Sequence, residues 1–447
     1  MLRLLLAISR NTFIESIRQP IFFILILAGI VAQIFNLMLS AYSLGFTEDT
    51  EVSADDKLLL DMGLATVMVV GMLLAAFVAT AVVSREIENK TALTVVSKPV
   101  GRPIFVIGKF LGVLGAIMVA VTILVISLLF VIRHEVMSTA RDRVDLVVVL
   151  FGGLAVVLPI VIGIWCNYFF GWVFSSTATF IMLPASIIGY VITLFIDKEW
   201  AFQPISADFK PQIMLASLCG VLSLMVLTAL AVAVSTRLGQ VMTIVICCGA
   251  FVLGLLSNHL LGRHAFSNTI VSTIASVEEP FPGFDFSATT SEYTITLSGP
   301  PRRIMEAGQS VYYGSNPSGL GIAVPEHLPF EGDLMRDGDV RRPEHPSLAI
   351  KSIDNLDVTL INAGGLRLDR MPREGDYVFL TPTDIDWPVR IAWGVFPNFQ
   401  YFWLVDAVTQ GHPIPLRYVG MVAGYSLLHM TGLVALGVAL FQKRDVG

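Results

Sequence analysis

At 447 residues the chain is long enough for two or three soluble domains, yet 55% of it is AVILMFWYC, 36 residues more are Gly, and only 14% is charged. Soluble domains carry about 25% charged residues, so a soluble enzyme is excluded. A net charge of −6 also excludes a basic surface for nucleic acid. Repeated uncharged runs of about twenty residues, the length of a helix across the hydrocarbon core, describe a polytopic membrane protein.

The first element is a helix over residues 1–19. At helical spacing Leu2, Leu5, Leu6, Phe13 and Ile17 share one face, and Arg3, Arg10, Asn11, Glu15 and Arg18 cluster opposite. Such a helix lies in the membrane interface, with its basic face toward anionic headgroups. The charges interrupt any hydrophobic core of a cleavable leader, and no A-x-A site follows. Pro20 then breaks the helix and opens the first span.

Eight spans are expected, over 20–44, 58–84, 104–132, 146–174, 178–196, 212–234, 241–261 and 416–441. The fourth to seventh read as two hairpins, turning at Ser175-Ser176-Thr177 and between Ser235 and Gln240. Pro184 makes the fifth span the weakest of the set. Cys166, Cys219, Cys247 and Cys248 all fall in apolar runs with no metal-ligand spacing, as small core residues do. Short loops of one side hold eleven Lys or Arg against six on the other, which places both termini in the cytoplasm.

Between Arg263 and Pro388 Pro, Gly and charge return, and short β-type runs appear at 293–297, 356–361 and 376–380. Turn signals at 298–301, Asp337-Gly338 and Gly364-Gly365 separate them. Residues 263–390 therefore form a β-rich insert before the last span. With seven spans before it the insert is extracytoplasmic; without the fifth span it would be cytoplasmic. Residues 391–447 hold an aromatic interfacial helix, over 395–408, and the last span.

The loop after the second span, in the stretch VSREIENKTALTVVSKPVGRPIFVIGKFLG at 83–112, is the most informative. Arg85, Glu86 and Glu88 carry a helix past the membrane, a short helix follows over 91–97, and Lys98-Pro99 turns the chain back. A short, charged, well-punctuated helix is a docking element for a soluble partner, or else an ordinary loop anchored by basic residues. The remaining candidates carry no chemistry. His264, His327 and His345 lack metal spacing, His429 reads as a packing residue, and no G-x-S-x-G elbow is present. Gly112-x-x-Gly115 and Gly152-Gly153 read as sites of close helix packing.

Residues Arg85, Glu86, Glu88, Thr91, Ser97, Lys98, Pro99, Val100, Arg102, Gly108, Lys109 and Gly112 resemble the coupling loop of ABC-2 type transporter permeases, in the copper-enzyme-maturation and gliding-motility branch. Gly101 and Pro103 depart from that pattern. The segment with Arg10, Asn11, Phe13, Glu15, Arg18 and Pro20 is similar to that family's interfacial elbow. Phe396-Pro-Asn-Phe399, Tyr425 and Phe441-Gln-Lys-Arg-Asp445 are similar to its last segment.

The resemblance implies an all-α membrane permease of about eight helices in a bacterial inner membrane. It also implies a cytosolic ATP-binding partner subunit and a second permease copy as dimer mate; membrane lipids are expected as partners and nucleic acid is not. ATPase coupling falls to Arg85, Glu86, Glu88, Thr91, Ser97, Lys98, Pro99 and Arg102. No phosphate loop occurs in the chain, since Gly108-Lys109 precedes Phe110 and position 103 is Pro; ATP and Mg are expected on the partner, with no cofactor here. The competing readings are an ATP-independent scaffold, whose insert binds a partner, and a secondary transporter, which would need buried charges or matched broken helices, both scarce in the spans.

Overall fold

Lipid offers no partner to backbone N–H and C=O groups, so apolar sequence that crosses it must satisfy them within helices. In a computed structural model, residues 2–40, 48–84, 101–136, 143–278, 286, 288–315, 329–368, 370–409 and 413–442 are described. The chain divides into two compact units, Met1–Gly254 with Phe399–Gly447, and Leu255–Asn398.

The first unit is helical. Helix α1 (Leu2–Arg18) is followed by α2 (Pro20–Ser40) and by α3 (Glu48–Ala79), which continues into a π-helical turn, Thr80–Ser84. Then come α4 (Arg102–His134), α5 (Leu146–Phe170), α6 (Phe174–Phe195), α7 (Pro211–Ser235) and α8 (Gln240–Leu255). Helix α9 (Trp387–Val395) belongs to the second unit, and α10 (Leu416–Gln442) closes the first.

Seven helices are long and apolar enough to cross a membrane, namely α2, α3 from Lys57, α4, α5, α6, α7 and α10. The span expected over 178–196 is among them, as a 22-residue helix with Pro184 inside. The span expected over 241–261 is corrected. Its α-helix stops after 16 residues at Leu255, about 24 Å at 1.5 Å per residue. The turn expected at Ser175–Thr177 is corrected too. Gly171 takes the left-handed conformation (φ 66°), its N–H donates to the Asn167 carbonyl, and the Trp172 N–H donates to the Cys166 carbonyl. A residue without Cβ ends the helix there, and Ser175 to Thr177 fall in the first turn of α6.

Contacts at their ends fix the relative direction of α7 and α10. The Ile414 N–H, just before α10, donates to Gln212 Oε1 at 2.8 Å, near the start of α7. At the other end Arg237, just after α7, donates to the Leu440 carbonyl at 2.8 Å. Helices α7 and α10 therefore run parallel, and the chain must return across the bundle between them. Short α8 begins that return, and its Phe251 ring lies 5.8 Å from Phe399, which packs on Phe402 and through it on Tyr425 of α10. The end of α10 thus lies at the same end of the bundle as the α3–α4 loop.

Polar side chains inside the bundle stitch helix to helix. Gln33 Nε2 donates to the Gly63 carbonyl (3.0 Å), and Asn36 Nδ2 to Thr66 Oγ1 (2.8 Å) and the Met62 carbonyl (3.2 Å), joining α2 to α3. A Cβ on Gly63 would sit 2.3 Å from Leu128 Cδ1. That glycine lets α4 approach as small residues do in membrane helices.

The second unit is an antiparallel sheet of β1 (Phe266–Glu278), β2 (Glu292–Leu297), β3 (Val311–Gly314), β4 (Ser347–Asp354), β5 (Asp357–Ala363) and β6 (Tyr377–Ile385), in the order β3-β6-β1-β2-β5-β4. Its two edges meet. Ser310 bridges Ala349, the Gly308 N–H donates to the Ile350 carbonyl, and the Ile350 N–H donates to the Gln309 carbonyl, both at 2.9 Å. Those bonds join the two outer strands of the order among the described residues.

Alternation along β2 turns Tyr293, Ile295 and Leu297 inward against Val271, Ile274, Val311, Leu348, Ile350, Val358, Leu360 and Val378, so the interior is filled with side chains. Burial holds the Tyr293 phenol well above its ordinary value. Arg370 grips the buried Asp376 with two 2.7 Å bonds, and that contact raises the guanidinium above its ordinary range. The runs expected at 293–297, 356–361 and 376–380 lie on β2, β5 and β6. The turn expected at Asp337-Gly338 is instead the start of a short helix, Asp337–Arg341, with Asp337 paired to Arg341 one turn on (3.1 Å).

Candidate functional site

Arg85, Glu86, Glu88, Thr91, Ser97, Lys98 and Pro99 lie outside the described residues, as does the short helix expected over 91–97. Both flanks of that loop are described. On one side α3 ends in the π turn Thr80–Ser84, where the Thr80 hydroxyl donates to the Ala76 and Phe77 carbonyls (2.9 and 3.0 Å). The wider π repeat is less regular than α-helix and recurs at functional sites. The Ser84 hydroxyl reaches the Leu238 carbonyl between α7 and α8 at 3.3 Å.

On the other side α4 begins after Gly101 without a side-chain cap, and a proline stands in its first turn. Proline suits that turn because its fixed φ is helical and its missing N–H would have had no partner. Arg102 Nη1 donates to the Gln442 carbonyl at 2.6 Å, next to the Arg237 bond to Leu440. Phe105 stacks on Phe441, with ring centroids 5.4 Å apart. A Cβ on Gly437 would lie 3.0 Å from the Ala233 Cα, so α10 rests directly on α7. The last turn of α10 is thus held from both sides of the loop's base.

Helix α1 packs across the same end. Gly108, Gly112 and Gly115 of α4 make a groove for it. A Cβ at Gly112 would meet the Ser9 carbonyl oxygen and Thr12 Cβ at 2.5 Å, and one at Gly108 would meet Ile8 at 2.7 Å. Of the two glycine pairs expected to pack closely, Gly112/Gly115 does so; Gly153 has open space and Gly152 only ordinary contact with Phe130.

The buried face of α1 is Thr12, Ser16 and Ile17. The expected apolar stripe is divided, with Ile17 against protein and Leu2 and Leu6 exposed at 70% and 59%. Among the other elbow residues, Arg10, Arg18 and Pro20 are exposed, and half-buried Phe13 meets Phe180 edge-on at 6.0 Å. The Arg18 carbonyl accepts the Ser175 hydroxyl of α6 at 2.7 Å.

Lys109 joins elbow and loop flank. It is 3% exposed, its Nζ stands 3.7 Å from the Glu15 carboxylate of α1, 3.5 Å from the Val82 carbonyl of the π turn and 5.7 Å from the centre of the Phe105 ring. A lysine this deep needs such partners, because an isolated buried ammonium loses its hydration without return. Elbow, π turn and α4 therefore meet at one cation.

The opposite end holds a cluster that sequence reasoning missed. Arg133, the penultimate residue of α4, bonds Asp145 Oδ2 at 3.0 Å and pairs with Asp208 Oδ2 at 2.8 Å. Asp145 is fully buried and also caps α5, its Oδ1 accepting the Val147 and Val148 N–H groups at 3.1 Å. The available signal was Asp145 itself, an N-cap residue directly before an apolar run. His429 behaves as a packing residue, donating to the Tyr425 carbonyl at 3.1 Å with its ring 4.3 Å from the tyrosine's. Among the described residues no cluster of His, Cys, Asp or Glu is arranged to hold a metal ion.

Residues 6–179, from the middle of α1 into the second turn of α6, match a family model described as "ABC-2 family transporter protein". No curated protein and no solved structure matches the chain.

Proposed function

We propose that the chain, whose residues 6–179 match the model of the ABC-2 family of transporter proteins, is the permease subunit of an ATP-driven exporter, worked by a separate cytosolic ATPase. It is a multi-pass membrane protein, with seven long apolar helices. ATP and Mg bind on the partner subunit, a second permease copy completes the path, and the setting is a bacterial inner membrane with both termini in the cytoplasm.

One observation carries the reading. The loop between α3 and α4, which falls within the family match, springs from the point where α1, the π turn, α4, α7 and α10 meet. Force applied to it by a closing nucleotide-bound ATPase would reach five helices at their ends and tilt them as rigid bodies between two states. In this reading the insert is extracytoplasmic.

The test is ATP turnover by the full-length chain in complex with its ATPase. Glu86→Ala together with Lys98→Ala should reduce the permease-dependent part of that turnover by about 5-fold or more, the range of a coupling free energy of 1–3 kcal/mol. Turnover identical to the unmodified complex would overturn the proposal.

A further inference from the structure

We propose that Arg102 and Arg237 are positioning residues that clasp the last turn of α10, so that movement of the α3–α4 loop is carried to the last membrane helix. The proposal rests on the transporter reading above.

The last four carbonyls of a helix have no partner within it and carry the negative end of its dipole. Two of those of α10, at Leu440 and Gln442, accept guanidinium bonds of 2.8 and 2.6 Å. The arginines come from elements far apart in sequence. Arg102 is the first residue of α4, two positions past the loop. Arg237 lies between α7 and α8, beside the Leu238 carbonyl that accepts Ser84 from the loop's other flank.

Both ends of the loop therefore converge on one helix end, Arg102 directly and Ser84 through the Arg237–Leu238 turn. The stacked Phe105–Phe441 pair lies under the clasp, so α4 and α10 share an apolar contact as well as a charged one. Lysine can offer a charge but not the planar fork that fixes direction.

Helix α10 depends on the clasp more than the other spans would. Only 22% of its apolar window is buried against protein, against 67% for α3 and 61% for α4. It packs along α7, and the polar contacts at its end add a defined link to the flanks of the loop.

The test uses hydrogen exchange of the full-length chain in complex with its ATPase, with and without vanadate-trapped nucleotide. In the unmodified complex, trapping should change exchange in the peptide covering 434–442. In Arg102→Gln/Arg237→Gln that peptide should exchange about tenfold faster, the loss expected for a charge-assisted hydrogen bond, and should no longer respond to nucleotide, while the ATPase stays bound and still hydrolyses ATP. The Lys/Lys variant should recover part of the response.

A double Gln variant that responds like the unmodified complex would overturn the clasp, as would an unmodified peptide indifferent to nucleotide in an otherwise active complex. An ATPase that neither binds the chain nor changes its turnover would sink the transporter reading, and the clasp with it.

Discussion

The two ends of the helical bundle use their few charges differently. At the loop end Arg102 and Arg237 bond helix carbonyls, and Lys109 is shared among a carboxylate, a carbonyl and a ring. At the far end cations face carboxylates, as Arg133 with Asp145 and Asp208, Lys198 with Glu135 at 2.6 Å, and Lys57 with Asp406 at 2.7 Å. A buried guanidinium between two carboxylates has one arrangement, because moving any member strands a charge. At the loop end each guanidinium instead holds one carbonyl of the last helix, Arg102 that of Gln442 and Arg237 that of Leu440. The far end holds its charges against one another, and the loop end holds them against helix carbonyls.

The comparison breaks most readily at Arg133. Arg133→Met leaves Asp145 charged and buried and should lower stability by about 3–5 kcal/mol, read as a fall in the unfolding midpoint of the detergent-solubilised chain. Asp145→Asn keeps a capping acceptor and should cost less. An unchanged midpoint for Arg133→Met would mean that the far end is not locked.

Next is the loop end itself. Gly112→Leu drives a side chain into the Ser9 carbonyl and Thr12, where overpacking costs about 1–3 kcal/mol. The elbow should lift from α4, seen as faster proteolysis within residues 1–19. Gly153→Leu, with open space around the glycine, is the control and should leave the elbow as it was.

A smaller effect belongs to the exposed pair of the far end. Lys57 and Asp406 are 45% and 70% exposed, and such pairs are screened by water and salt. Lys57→Ala should leave the unfolding midpoint where it was, so a large fall would show that exposure does not separate the two kinds of pair.

A further prediction concerns the filled sheet of the second unit. Because the Tyr293 phenol is raised when folded, the unfolded chain loses its proton first as pH rises past about 10. Folding stability should therefore decline in that window. Tyr293→Phe, which has no proton to lose, should flatten the decline, followed by the unfolding of the β signal with pH.

Much of this was legible in the sequence. An apolar run cannot cross lipid except as helix, so six spans read from hydropathy and the last one stand close to their expected limits. Strands β2, β5 and β6 were legible because β-branched and aromatic residues alternate there. Strand β1 was not, since Phe266–Glu278 mixes Ser, Thr and Asn with its apolar residues and borrows its order from partners on both sides. The turn at Gly171 was missed because Ser175-Ser176-Thr177 is the more polar stretch, yet it is the left-handed glycine that ends α5. The elbow's charged residues were identified, but its buried Thr12 and Ser16 were not, since a helix that packs on glycine buries small residues rather than large ones.

By itself the sequence determined that the chain lives in a bilayer, which segments cross it, that a β-rich insert interrupts it and that one charged loop stands apart. Those properties are local, set by composition and period within a window of about twenty residues. Only the tertiary structure decided what the charges do. Arg102, Arg133 and Arg237 all stand at the edges of apolar runs and look alike in the sequence, yet one sits buried between carboxylates and two hold the end of a helix more than two hundred residues away. Charge is written in the residue; its partner is chosen by which helix ends the bundle brings together.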